Sequence, residues 1–217
     1  MAGGARPAGG PFDGPRGQRD GRVPRAMPSE AGPAGPEWDA LVRAVDACRA
    51  CPLGATRAHP VVYRGGAAPR VVFVGEAPGA AEDAAGRPFV GRAGRTLDAL
   101  LGDLGLDEDA VGILNVVKCH PPGNRLPPAS VRACRPFLDR QLALLRPRLV
   151  VTLGRHALEA LDPGSPPVLA SAGTLRRRGP PGLFALLHPA ATFRSRRFRD
   201  RWIADAAALR RCLAETL

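Results

Sequence analysis

The sequence predicts an α/β domain in which helices cover both faces of a parallel sheet. Three observations predict it. Short β-branched runs alternate with amphipathic stretches of helical period. The runs are apolar throughout, as strands buried on both faces are. A chain of 217 residues with 45% hydrophobic content suits one sizeable core plus an appendage.

Residues 1–36 are rich in Gly, Pro, Ala and Arg and hold hardly any large apolar side chain, so the expectation is a disordered tail preceding a folded domain over 37–217. The tail carries five Arg against three acids, which leaves +9 on the remainder. It reads either as a loose tether to DNA or as a functionless extension. From Glu37, the residues Trp38, Leu41, Val42 and Val45 recur at helical spacing and lead into Cys48. Arg70–Gly75 is a β-branched run closed by glycine, a strand, and a helix follows over Thr96–Leu104. The alternation continues with a strand at Val111–Val117, a helix at Pro128–Leu145 opened by proline, a strand at Arg148–Leu153 and a helix at Arg155–Leu161. A fourth strand is expected at Leu183–Leu187 and a closing helix at Arg197–Thr216.

The formal net charge is +11, and 30 of the 31 basic residues are Arg, with Lys118 the single lysine. Such basicity suits a nucleic-acid partner. The joint abundance of Ala, Gly, Pro and Arg also fits the codon usage of a GC-rich genome, so charge alone does not decide. Composition excludes collagen, coiled coil and a wholly disordered chain. With no run of 18 apolar residues and no apolar signal stretch, the chain is expected in the cytoplasm, away from membranes and as a monomer. In that reducing compartment the cysteines are read for metal or reactivity rather than disulfides.

In open α/β sheets ligands bind beyond the carboxyl ends of the strands. Glu76, Ala77, Pro78 and Gly79 follow the first strand, Asn115, Lys118 and Cys119 lie at the second, Gly154 follows the third, and His188 follows the fourth. Glycines flank Arg87-Pro88-Phe89-Val90, which would let Phe89 stand out as a stacking platform for a flat base or pack as an ordinary core residue. An Asn amide can read the edge of a pyrimidine, and a strand-end imidazole can donate to a developing oxyanion. Each also has a plain structural use, as a turn cap or a packed ring. Cys48 and Cys51 form a C-x2-C pair, and fourteen residues separate Cys119 from Cys134. Four thiolates suit zinc or a [4Fe–4S] cluster; the missing second C-x2-C tilts the spacing toward the cluster, and buried structural cysteines are the alternative. Cys212 sits among Leu209 and Leu213 and reads as core.

The strings GEAPGAAED (75–83), GRPFVG (86–91), NVVKCHPPGNR (115–125), TLG (152–154) and HPAA (188–191), with Cys48, Cys51, Cys119 and Cys134, closely resemble family 4 uracil-DNA glycosylases, the iron–sulfur enzymes of base excision repair. The likeness runs in order over about residues 40–215 and leaves out the tail. It implies a three-layer α/β/α domain around a four-stranded parallel sheet, and a structural [4Fe–4S] cluster on the four cysteines. It implies uracil-containing DNA as the partner. Phe89 would stack on a flipped-out uracil, Asn115 would pair with its polar edge, and His188 would stabilise charge on the departing base. Glu76 stands where related families place a water-activating acid; Ala77, Glu82 and Asp83 would border the base. The basic, histidine-containing insertion of a branch that becomes trapped on DNA is missing after the second strand, so turnover is expected; His120 beside Cys119 is an unusual feature.

Cleavage of an N-glycosidic bond needs a donor at uracil oxygen, a platform for the ring and a carboxylate near the sugar, which His188, Phe89 and Glu76 would supply. Arg194, Arg196, Arg197, Arg199 and Arg201 would contact phosphates, or begin a solvated helix. A non-catalytic four-cysteine nucleic-acid-binding module would need the cysteines and arginines but not Asn115, Phe89 and His188 at one edge. An α/β enzyme acting on a small molecule would leave the cysteines and arginines unexplained.

Overall fold

A computed structural model describes residues 32–177 and 179–217; residues 1–31 of the expected tail lie outside the described residues. Strands β1 (Arg64–Gly65), β2 (Val71–Gly75), β3 (Val111–Asn115), β4 (Leu149–Leu153), β5 (Thr174–Arg177) and β6 (Gly182–Leu186) form one sheet in the order β1-β3-β2-β4-β6-β5. The inner strands β3, β2, β4 and β6 are parallel. The sheet therefore has six strands, not four, because β1 and β5 add antiparallel edges to the expected parallel core. Neither edge strand has the apolar run that marks the inner ones: β1 is two residues long, and β5 is the largely exposed TLRR. Such short, charged edges discourage pairing with another sheet.

The helices are α1 (Pro36–Ala47), α2 (Leu53–Thr56), α3 (Ala80–Ala85), α4 (Arg92–Leu104), α5 (Pro128–Leu145), α6 (Arg155–Leu161), α7 (Val168–Ser171) and α8 (Arg196–Thr216). Side chains alternate across a strand, so Val71 and Phe73 face a core shared with Leu97 and Leu101 of α4 and Trp202 and Leu209 of α8. Val72 and Val74 face the opposite core, with Trp38 and Leu41 of α1, Leu138 of α5 and Ala157 of α6. Those two cores make the three-layer α/β/α arrangement.

Helix α4 starts at Arg92, four residues before the expected Thr96, because Gly91 opens it and its polar first turn carries no apolar signal. It stops at Gly105 (φ 67°), where the amides of Gly105 and Leu106 close back on Gly102 and Leu101. The chain crosses from β3, on one side of β2, to β4 on the other. The topological switch point thus lies at the carboxyl ends of β2 and β4, where Glu76 and Gly154 stand.

Candidate active site

One cleft of about 630 Å³ opens over that edge, lined by Glu76, Ala77, Gly79, Glu82, Phe89, Asn115, Gly154, Arg155, His188 and Arg194 among others. Asn115 ends β3 and is 2% exposed. Its Oδ1 is enclosed and has no hydrogen-bond partner among the described residues. An enclosed acceptor left unpaired costs about 1–3 kcal/mol, which a ligand N–H in the cleft would recover.

His188 follows β6 and caps a 3₁₀ turn: the Ala190 amide donates to its Nδ1 at 3.2 Å. That bond puts the proton of the neutral ring on Nε2. Burial, with Arg194 adding and Glu82 opposing, pushes the imidazole down to about 4. Near neutral pH the residue is an uncharged donor.

Phe89 is only 5% exposed and packs in the α4/α8 core, so it is no protruding platform. The reason lies in two glycines: a Cβ on Gly75 would come within 2.6 Å of the Phe89 ring and 2.4 Å of Asn115 Oδ1, and one on Gly94 would meet the Phe89 carbonyl at 1.8 Å. These missing side chains let the ring sink against the sheet while still lining the cleft. Its centroid lies 5.9 Å from that of His188.

The acids divide. Glu76 lines the cleft, and its Oε1 is 3.6 Å from His156 Nε2, which also lies 3.1 Å from the Arg155 guanidinium. Glu82 lines the cleft as well, but its two oxygens accept from the amides of Gly79 (3.1 Å) and Gly91 (2.7 Å), so it ties the loop after β2 to the loop carrying Phe89. Asp83 turns away from the expected place at the base: its carboxylate accepts from the Ala58 amide, and it does not line the cleft.

Of the arginines, Arg194 lines the cleft, and Arg196, Arg197 and Arg199 are exposed beside it at the start of α8, with Asp200 3.9 Å from Arg196. Arg201 departs from the expected phosphate row, because its guanidinium is held by Asp205 at 2.7 Å and by the Ala172 carbonyl at 2.7 Å.

Cys48 and Cys51 between α1 and α2, Cys119 after β3, and Cys134 inside α5 line a single small cavity with Arg57 and Lys118. Burial pushes the thiols of Cys119 and Cys134 up, while Arg57, 3.1 Å from Cys119 Sγ, and Lys118 pull them back. Lys118 donates its ammonium to the Asn115 carbonyl, and His120 Nδ1 lies 2.8 Å from the Pro78 carbonyl. The thiol cavity and the cleft are therefore joined through both β2 and β3 ends. Cys212 lies apart, buried against the α4/α8 core as expected.

The residues that sequence reasoning did not single out are Arg155 and His156, at the first turn of α6 directly after the TLG string. Their place after a parallel strand was the available signal. Arg64, described below, had none.

A largely parallel sheet whose switch-point cleft gathers an amide with an unpaired oxygen, an aromatic ring and an uncharged imidazole defines an α/β protein with a cleft that can receive a flat polar ring. The family model of the uracil DNA glycosylase superfamily matches residues 62–209. The chain belongs to that superfamily. Over 115 residues it is 48% identical to the Type-4 uracil-DNA glycosylase of Sulfurisphaera tokodaii, covering 52% of each chain. It is 50% identical over 115 residues to the Type-4 uracil-DNA glycosylase of Thermotoga maritima, covering 52% of this chain and 60% of that one. The Type-5 uracil-DNA glycosylase of Thermus thermophilus is 35% identical over 155 residues, 57% of this chain and 71% of its own. The match thus spans little more than half the length of the type-4 relatives. Among the described residues no helix is long and apolar enough to cross a membrane.

Proposed function

We propose that the protein removes uracil from DNA by hydrolysing the N-glycosidic bond, leaving an abasic site. Membership of the superfamily and the likeness to type-4 enzymes support this reading. The observation that carries it is the enclosed, unpaired Oδ1 of Asn115 in the same cleft as the neutral donor His188. A nucleic-acid-binding module has no use for that pair.

A base inside a duplex is out of reach, so the nucleotide is flipped into the cleft, at a cost of a few kcal/mol that pocket contacts offset. Phe89 offers a π-face to the ring. The Asn115 amide accepts from uracil N3–H and donates to the neighbouring carbonyl oxygen. As the bond breaks, negative charge grows on the base, and the Nε2–H of His188 donates to the other carbonyl oxygen. A neutral imidazole suits this role, because it donates strongly without becoming the proton source. Glu76 orients the attacking water and balances positive charge on the sugar, while Arg194, Arg196, Arg197 and Arg199 hold phosphates.

The donor set fits a [4Fe–4S] cluster on Cys48, Cys51, Cys119 and Cys134. Four thiols share one cavity with two cations, a soft all-sulfur donor set whose charge Arg57 and Lys118 would offset. Such a cluster would supply no step of hydrolysis, and the four cysteines that would hold it come from the segment after α1, the segment after β3 and the middle of α5, so its role would be structural. Iron analysis and visible absorbance test this point, and stoichiometric zinc without iron would overturn it. The activity itself is tested by incubating the protein with a uracil-containing oligonucleotide, followed by alkaline cleavage. Strand scission at uracil alone is the expected result, and an intact strand overturns the reading.

A further inference from the structure

The support of the Phe89 ring comes from outside the loop that carries it. Phe89 has φ 55°, a left-handed conformation that is an outlier for a bulky residue and persists only where its surroundings enforce it. The loop is pinned on one side by Glu82, through the Gly91 amide. On the other side Arg64, on the edge strand β1, donates from Nη1 to the Phe89 carbonyl at 3.2 Å. Its remaining nitrogens are committed too: Nη2 lies 2.9 Å from Asp98 Oδ1 of α4, and Nε lies 3.1 Å from Glu108 Oε1. Glu108 also pairs with Arg87, two residues before Phe89 in the same loop. The Arg64 side chain is 13% exposed, whereas Asp98 and Glu108 are 43% and 47% exposed.

A guanidinium is a rigid planar fork. With Nε and Nη2 fixed by carboxylates, Nη1 is aimed, and here it is aimed at a carbonyl whose residue sits in a strained conformation. Exposed ion pairs contribute little by themselves. A charged hydrogen bond to a mostly enclosed carbonyl contributes more.

We propose that Arg64 is a positioning residue for base recognition: it holds the Phe89 backbone so that the ring presents its face to the flipped base, and Asp98 and Glu108 serve to aim it. The two-residue strand β1 thereby acts on the cleft through the Phe89 backbone, although Arg64 does not itself line the cleft. This inference rests on the uracil-excision reading above.

The test compares Arg64→Met, which keeps the stem and loses the donors, with Asp98→Asn, which weakens one ion pair and keeps the donor to Phe89. Inhibition by free uracil reads the pocket's grip on the base apart from DNA affinity. In Arg64→Met the uracil inhibition constant should rise about tenfold and the single-turnover rate should fall by a similar factor, the scale of one charged hydrogen bond. DNA affinity should be unchanged, and Asp98→Asn, which loosens the aim of the fork but keeps the donor, should shift the uracil inhibition constant in the same direction by a smaller factor of about two. A purely structural Arg64 would lower the melting temperature and leave uracil inhibition of the folded protein unaltered, which would overturn the proposal. Should Arg64→Met fail to fold, Arg64→Lys keeps the charge but not the fork and is expected to weaken uracil inhibition in the same direction; an unaltered constant there overturns it equally. A wild-type protein that excises no uracil overturns both readings, whereas active wild type with wild-type-like Arg64 variants overturns this one alone.

Discussion

The rings of Phe89 and His188 lie 5.9 Å apart at an angle of 32°. One arrives on a loop between α3 and α4, the other at the end of β6, and only the assembled sheet makes them neighbours. On the proposed function, a flat ring entering the cleft would meet a π-face and an N–H donor together, and discrimination would follow from satisfying both.

Replacing His188 with Ala should lower the single-turnover rate of uracil excision by about 10²–10³-fold, the usual contribution of an oxyanion donor, with DNA affinity nearly intact. Asn115→Ala should lose activity while keeping or gaining thermal stability, because it removes an enclosed acceptor that has no partner among the described residues. Wild-type rates in either folded variant would remove these residues from the reaction.

The depressed pKa of His188 gives stability a definite pH dependence. Folded, the ring stays neutral down to about 4; unfolded, it takes up a proton below about 6.5. Between those values the unfolded chain binds more protons, so stability is full above the unfolded pKa and falls as pH drops through the window. The loss should be on the order of 2 kcal/mol between pH 7 and pH 5. Thermal melts at both pH values, on wild type and His188→Gln, should show a smaller acid sensitivity in the variant; equal sensitivity would place the effect elsewhere.

Gly75→Ala adds one methyl where its Cβ would stand 2.4 Å from Asn115 Oδ1 and 2.6 Å from the Phe89 ring. Both partners must move, and both belong to the pocket. The expected outcome is a folded protein with excision reduced by about 10²-fold, the scale of a displacement near 1 Å. Gly102→Ala, which meets nothing within 4 Å, serves as the control. Comparable activity in the two variants would show that the pocket tolerates the shift.

Salt dependence separates the arginines. Each phosphate contact contributes about −0.9 to the slope of log K against log salt on duplex DNA. Arg197→Ala and Arg199→Ala should each lower that slope by about one while leaving the excised base unchanged. Arg201→Ala should leave the slope alone and lower the melting temperature, since its guanidinium is tied to Asp205 and to the Ala172 carbonyl. A slope change confined to Arg201 would reverse the assignment.

The four parallel strands and the long helices were legible because apolar runs and helical periodicity are local signals; α5 and α6 match their expected bounds residue for residue. Asn115 and His188 were legible for a different reason: a strand end in a parallel sheet is an address, and both occupy one. The edges β1 and β5 were not, because a two-residue bridge and a polar edge strand leave no pattern of burial. The division of labour among Glu76, Glu82 and Asp83 was hidden too, since adjacent carboxylates look alike until the amides of Gly79, Gly91 and Ala58 select among them. Phe89 illustrates the limit most clearly. Its flanking glycines left a protruding platform and a core residue both open, and Gly75 and Gly94, on other elements, let it sink.

Cys51 and Cys119 stand 68 positions apart in the chain and line the same cavity. Any group bonded to both would close a loop that encloses α2, β1, β2, α3, α4 and β3. For a disordered chain, closing a loop of that length costs roughly 4 kcal/mol of entropy. The folded sheet has already closed it, so a group held by both thiols would restrict the unfolded chain without ordering the folded one further, and the fold would gain stability of that order.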